Sequence, residues 1–327
     1  MAETETSPAD HRDSSLKFSA DSAQMVSADW SKTHRLSRFE HQAMATIFEI
    51  ILDHRDVQYA AQAVQAAFME LDRLEQELSR FIENSDISRI NRAVPGHAVK
   101  VSLDTFNCLQ ICQQICEQTA GAFDITVGSL VDFWRQAAPA DTGIKDNLDL
   151  IKQKTGLNYL VLDSDNYSVQ VLRAGLSIDL GGFAKGFALD RMAAIIAEWG
   201  ISCALLHSGN STVLASAAPA KENGWPLALR HPHSGKVLKY ISLAGSAISG
   251  SGLRKGAHII NPRSGKPVDN KLAAWSTAST AALADALSTA FMIMSTTRIK
   301  KYIQQNPQTA ACTITKTKSQ IQFFGQF

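Results

Sequence analysis

Gly175-Leu176-Ser177-Ile178-Asp179-Leu180-Gly181-Gly182-Phe183-Ala184-Lys185-Gly186 is the stretch whose reading decides the fold. Its first four residues read as a strand end, and Phe187 to Trp199 beyond it reads as an amphipathic helix stopped by Gly200. A carboxylate at a strand end, two glycines and a helix start make a place to hold a phosphate with a cation. The glycines let backbone come close to a ligand, and the helix N-terminus offers unpaired N–H groups and the positive end of a dipole. Asp179 reads equally well as an N-cap or an Asx turn.

A second acid stands in apolar company. Ala281 to Met292 reads as a helix that is apolar on nearly every face and therefore buried. A buried Asp285 needs a hydrogen-bond partner, an opposite charge such as an arginine, or a metal. Thr289, four residues on, shares its face of the helix.

Other segments frame these two. Apolar residues at Val64, Phe68, Leu71, Leu74, Leu78 and Phe81 predict a helix from Val57 to Phe81. Ser102 starts a second helix that ends near Gly121, and a short third follows Gly128. Tyr159–Leu162 and Tyr167–Val171 flank an Asp-Ser-Asp-Asn turn and predict a hairpin. Short apolar runs then predict strands at 204–206, 212–214, 227–229, 238–243 and 258–260. Residues 311–324 predict a closing pair of strands. Helices and strands are partly segregated, so the fold class is α+β, with a polar leader over residues 1–36 and one domain over 37–327.

The segments, taken in order, resemble the ApbE family of FAD:protein FMN transferases. Met44-Ala45-Thr46 stands where the family has Met-Gly-Thr, and Phe123-Asp124-Ile125-Thr126-Val127-Gly128 is followed by Trp134. The Asp179 loop, Ser251-Gly252, His258-Ile259-Ile260-Asn261-Pro262-Arg263-Ser264-Gly265 and Ala284-Asp285-Ala286-Leu287-Ser288-Thr289 complete the series over roughly residues 40 to 300. The resemblance implies a T-fold-related arrangement of helices and antiparallel strands around a central FAD cleft. It implies Mg²⁺-dependent transfer of FMN from FAD to a Thr or Ser hydroxyl of an acceptor protein, with release of AMP.

Carried over residue by residue, the resemblance places Met44, Phe81, Phe123, Asp124, Asp179, Lys185, Asn210, His258 and Ile259 at the cofactor. The Gly182 carbonyl, Asp285 and Thr289 fall at the Mg²⁺ site, a set of hard oxygen donors suited to that ion. His258 and Asp285 are the expected catalytic residues, with His258 accepting the hydroxyl proton, although a histidine on an apolar strand reads equally as a core residue. Phe81 replaces a tyrosine that commonly stacks on the flavin. His207-Ser208-Gly209-Asn210-Ser211 departs from the family's Asn-x-Gly-Gly-Asp/Asn element and lacks its second glycine. An FAD pyrophosphatase giving FMN and AMP, and an FAD-binding protein without turnover, remain as rival readings.

Composition bounds the rest. The 327 residues, 45% apolar and 19% charged, suit one large soluble domain or two small ones. A net charge of +1 gives no reason to expect nucleic acid as partner. No apolar run approaches the ~20 residues of a membrane-spanning helix. The polar leader has no signal-peptide core, which points to a cytoplasmic protein. Five cysteines make an odd set; Cys108, Cys112 and Cys116, on one helical face, read as core residues. Gly250 to Gly256 has the wrong spacing for a dinucleotide loop, and His231-Pro232-His233 reads as an exposed loop.

Overall fold

The computed structural model describes residues 26–28, 36–136, 144–209, 211–253, 256, 258–317 and 319–327. Every strand pairing among them is antiparallel. The fold is built on an eight-stranded sheet. In spatial order its strands are β14 (Ile321–Phe324), β13 (Ala310–Thr315), β12 (Lys271–Ala278), β11 (Ser246–Gly252), β8 (Thr212–Ala215), β7 (Ala204–Ser208), β3 (Thr46–Asp53) and β2 (Leu36–Ala43). Alternation along these strands sends side chains to two cores. Phe48, Ile50, Leu52, Leu206, Leu214 and Ala247 face a helical layer, whereas Ile51, Leu205, Val213, Ile248 and Trp275 face the opposite way.

The second face is covered by a three-stranded sheet of β1 (Val26–Ala28), β9 (Trp225–Arg230) and β10 (Val237–Leu243). Trp225, Leu227, Leu229, Ile241 and Leu243 supply its buried side. Residues 26–28 and Leu36, which the sequence placed in a flexible polar leader, lie in strands β1 and β2, and the rest of that leader lies outside the described residues. The helical layer is α1 (Val57–Leu78), α6 (Ala184–Glu198) and α7 (Ala281–Ile293), with α8 (Thr296–Gln305) after them. Between α1 and α6 the chain forms α2 (Asp86–Asn91), β4 (Ala98–Lys100), α3 (Leu103–Gln118), α4 (Gly128–Gln136), α5 (Ile144–Lys152), β5 (Leu160–Asp163) and β6 (Ser168–Val171). Strands β4, β6 and β5 make a third small sheet.

Helix α7 decides where the site falls. Ten of its residues, Asp285 and Ser288 among them, are buried against β11, β12 and α6. Both of its ends are held from outside. Asp190 of α6 accepts the Ala281 and Ala282 N–H groups at 2.7 and 2.8 Å, and Lys271 of β12 donates to the Met292 and Met294 carbonyls. An acid at the N-terminus and a base at the C-terminus each complement the helix dipole. Gly186 lets α6 and α7 touch: a Cβ there would lie 2.2 Å from the Ala281 carbonyl oxygen.

Several expectations change. Helix α1 ends at Leu78, capped by the Ser79 N–H, so Phe81 lies beyond it. Residues 175–178 do not make a strand. Asn91 brackets the Ile178 backbone with bonds of 2.7 and 3.0 Å, and Ser177 forms only an isolated bridge to Val127. Residues 258–260 contribute one bridge, Ile260 to Pro267, in a tight turn closed by the Asn261 N–H on the Lys266 carbonyl and the Val268 N–H on the Ile259 carbonyl, where Pro267 has no N–H to extend the ladder. Gly250–Gly252 belongs to β11, a strand that the sequence did not predict. The hairpin at 159–171, the helix after Ser102 and the closing strands fall as expected, apart from one or two residues at their ends. The five cysteines are free, and Cys108 and Cys112 are buried.

Candidate functional site

Segment 179–186 is positioned from both sides. Asp179 N–H donates to the Ile125 carbonyl at 2.7 Å, and its Oδ1 accepts the Gly181 N–H at 2.8 Å in an Asx turn. Its other oxygen receives Nη1 of Arg80 at 2.8 Å, and Arg80 also pairs with Asp132. Burial opposes the Arg80 charge, but Asp179 and Asp132 outweigh it and hold the guanidinium above its ordinary pKa. Asp179 is thus both a turn-former and half of an ion pair. Phe81 is 75% exposed, its ring 5.5 Å from the Arg80 guanidinium carbon, so an apolar face stands open beside the loop.

Helix α6 starts at Ala184, three residues before the predicted Phe187, so Lys185 sits in its first turn. Lys185 Nζ donates to the Gly181 carbonyl at 2.8 Å and lies 3.7 Å from Asp285 Oδ2. The Gly186 N–H reaches the same oxygen at 3.4 Å. Asp285 is 4% exposed, and its Oδ1 accepts the Ser249 hydroxyl at 3.2 Å. Its partners are therefore a hydroxyl, an N–H and an ammonium, not the arginine that the sequence left open. Thr289 faces Gly182 so closely that a Cβ on that glycine would lie 2.9 Å from Thr289 Oγ1. The structure thus gathers Gly182, Lys185, Asp285 and Thr289 between the start of α6 and the face of α7.

A count of protons shows how this set can meet a cation. Ser288 donates to the Asp285 carbonyl at 2.9 Å, which uses its only proton. Its 2.7 Å contact with Ser251 then has Ser251 as donor, and the 3.2 Å contact between Ser251 and Thr289 has Thr289 as donor. The Thr289 oxygen is left with lone pairs to offer. One carboxylate, one such hydroxyl and a backbone carbonyl are hard donors that fit Mg²⁺ sharing its shell with phosphate oxygens. Among the described residues no cluster of three or more His, Cys, Asp or Glu offers a competing metal site.

The remaining expected residues divide. Met44, at φ 49°, and Ala45, at φ 57°, form the tight turn between β2 and β3, and the Met44 N–H donates to Glu75 at 2.7 Å. Gly209 backs this turn, where a Cβ would meet Thr46 Oγ1 at 2.4 Å. Asn210 lies outside the described residues. The exposed His258 has Nδ1 3.0 Å from the Gly256 carbonyl. A carbonyl only accepts, so Nδ1 bears a proton, and Nε2 is the nitrogen that could take up or give another. It is not a core histidine.

Phe123 and Ile259 are 4% and 6% exposed and pack in the main core, Phe123 against Phe183, so their side chains support the site from behind. Asp124 is tied to the Thr126 N–H and hydroxyl at 2.8 and 2.6 Å. Burial pushes its carboxyl above the usual range against those bonds. It braces the turn that presents the Ile125 carbonyl to Asp179.

Sequence reasoning missed Arg80, Ser249 and the Arg38–Glu49–His207 group, in which the buried Glu49 carboxylate is shared by Arg38 and His207. An arginine just before the exposed Phe81 was the one readable sign.

The sequence profile of the ApbE family matches residues 44–314. The chain belongs to the ApbE family. The FAD:protein FMN transferase of Escherichia coli (strain K12) is 26% identical over 295 residues, 84% of each chain. That of Buchnera aphidicola subsp. Baizongia pistaciae is 28% identical over 263 residues, 74% of this chain and 75% of its own. Among solved structures, the ApbE protein of Thermotoga maritima has a TM-score of 0.79 at 25% identity, covering 88% of this chain and 97% of the other. Flavin transferase ApbE from Vibrio cholerae has a TM-score of 0.78 at 22% identity, with the same coverage.

Proposed function

We propose that this protein is an FAD:protein FMN transferase. FAD is its substrate, a protein is the acceptor, and a Thr or Ser hydroxyl is the group modified. The observation that carries the reading is the meeting of the Asp179–Lys185 loop with Asp285 and Thr289 across two helices distant in sequence. Those elements supply a carboxylate, a hydroxyl, a glycine backbone and an ammonium at one point. The names borne by its curated relatives support the same reading.

The chemistry follows from the residues. Gly182, Asp285 and Thr289 would hold Mg²⁺, which supplies charge neutralisation at a pyrophosphate. Lys185, in the first turn of α6, adds positive charge beside the helix N-terminus, where phosphate oxygens are favoured. Phe81 offers a flat apolar face for the isoalloxazine ring, and Asp179, fixed by Arg80 and the Gly181 N–H, presents a polar edge beside it. The acceptor oxygen attacks the phosphorus on the FMN side, the bond to the AMP phosphate breaks, and the hydroxyl proton passes to Nε2 of His258. Among the described residues no helix is long and apolar enough to cross a membrane. A cytoplasmic location belongs to the same proposal, supported by the polar composition of residues 1–36.

The test is an account of products with FAD, Mg²⁺ and a candidate acceptor. Transfer gives one flavin-labelled acceptor for each AMP. Free FMN equal to AMP, with unlabelled protein, means hydrolysis, and intact FAD means a binding protein.

A further inference from the structure

Four hydroxyl side chains lie in a row across the centre of the eight-stranded sheet. Ser208 on β7 pairs with Thr212 on β8, Thr212 with Ser249 on β11, and Ser249 with Ser276 on β12. All four are fully buried, and all lie on the face that supports α7. Buried hydroxyls at the middle of a sheet are costly unless each finds a partner, so the row calls for an explanation. Ser276 donates to the Ala284 carbonyl, and Ser249 donates to Asp285 Oδ1 at 3.2 Å. Thr212 Oγ1 stands 2.8 Å from Ser249 Oγ.

Proton counting fixes the direction of this chain. Ser249 has a single hydroxyl proton, and Asp285, as carboxylate, can only accept. The contact between Thr212 and Ser249 is therefore donated by Thr212. The sequence of bonds runs Thr212 to Ser249 to Asp285, each donor polarised by the next in a buried setting of low dielectric. One oxygen of Asp285 is thereby committed to the sheet. The other, Oδ2, is turned toward the Gly186 N–H and Lys185, on the side where Gly182 and Thr289 lie.

We infer that Ser249, held by Thr212, is a positioning residue for the metal-binding carboxylate of Asp285. It fixes the rotation of the carboxyl group so that Oδ2 faces the cation, and it does so through the sheet, without touching substrate. The inference rests on the proposed Mg²⁺ site. Partners of this kind, one shell behind a ligand, typically change metal affinity or activity 10- to 100-fold.

The experiment measures Mg²⁺ affinity by calorimetry on the full chain, with ADP present as an unreactive pyrophosphate, and Mg²⁺ dependence of transfer alongside it. Ser249→Ala should weaken Mg²⁺ binding about 10-fold, with the loss recovered at saturating Mg²⁺. Thr212→Val, which keeps shape but removes the donor, should weaken it by a smaller factor in the same direction. Thr212→Ser, which keeps the hydroxyl, should bind as wild type. The Thr212 pair decides the matter should Ser249→Ala fail to fold. Equal Mg²⁺ affinity in wild type, Ser249→Ala and Thr212→Val, while Asp285→Asn loses binding, would overturn the inference and leave the metal site standing. Thr212→Ser weakened as much as Thr212→Val would assign the effect to packing and overturn it as well. Undiminished Mg²⁺ binding in Asp285→Asn would remove the metal site itself, and this inference with it.

Discussion

Replacing Gly186 by Ala probes the contact on which the whole site depends. A Cβ at this position would lie 2.2 Å from the Ala281 oxygen, 2.6 Å from its carbonyl carbon and 2.8 Å from the Ala282 nitrogen. All three are backbone atoms, and Asp190 holds both residues in place, so no side chain can swing aside. Restoring ordinary contact separates α6 from α7 by roughly 1 Å, a displacement at the upper end of overpacking costs, ~3 kcal/mol. Alanine regains ~1 kcal/mol of helix propensity over glycine, which leaves a net loss of ~2 kcal/mol. The same shift moves Lys185 and the Gly182 loop away from Asp285 and Thr289. Misplacement on the order of 1 Å can cost ~10²-fold in rate. Thermal unfolding should fall by several degrees, and FMN transfer per folded molecule should fall far more steeply than stability. A Gly186→Ala protein with unchanged melting temperature and full turnover would refute the claim that this contact sets the site.

Three further perturbations test separate parts of the account. Burial pushes the Asp190 carboxyl up to about 6 from an ordinary 3.8, so the folded state holds that proton more tightly than the unfolded chain. The resulting ~3 kcal/mol is fully present below pH ~4 and is lost as pH rises through ~6. The stability difference between wild type and Asp190→Asn should change across that window, and a flat difference would contradict it. Ala45→Gly relieves a left-handed alanine worth ~1–2 kcal/mol, offset by ~0.5–1 kcal/mol of added chain entropy. A small rise in melting temperature is expected, and a fall would show that the turn is not strained. His258→Ala should bind FAD as wild type yet turn over ~10²- to 10⁴-fold more slowly. An unchanged turnover would move the proton to another acceptor.

The legible parts of the fold were those where one physical demand dominates the local sequence. Helix α7 could be read because apolar residues surround it on all sides, and its lone acid could be read because nothing nearby in sequence pairs with it. Strands β11 and β12 were not legible. Ser246-Ala247-Ile248-Ser249-Gly250-Ser251-Gly252 has little strand propensity, and it is a strand because a central position in the sheet and close packing under α7 favour small side chains. Strand β2 was hidden for the opposite reason: Arg38, Glu40 and His41 put polar side chains on both faces of an edge strand. The partners of Asp285 and Asp179 were hidden by distance along the chain. Ser249 lies 36 residues from Asp285, and Arg80 lies 99 from Asp179. No periodicity links such pairs, and only the packing of α6 and α7 against the sheet brings them together.

The most direct test compares wild type with Asp285→Ala by intact mass spectrometry of one acceptor protein after incubation with FAD and Mg²⁺. The account predicts that wild type adds the mass of one FMN to the acceptor, and that Asp285→Ala, with its fold verified, loses ~10²-fold or more of that rate, equivalent to ~3 kcal/mol of transition-state stabilisation. An acceptor left unlabelled by wild type while FAD is consumed, or labelled equally fast by Asp285→Ala at limiting Mg²⁺, would contradict it.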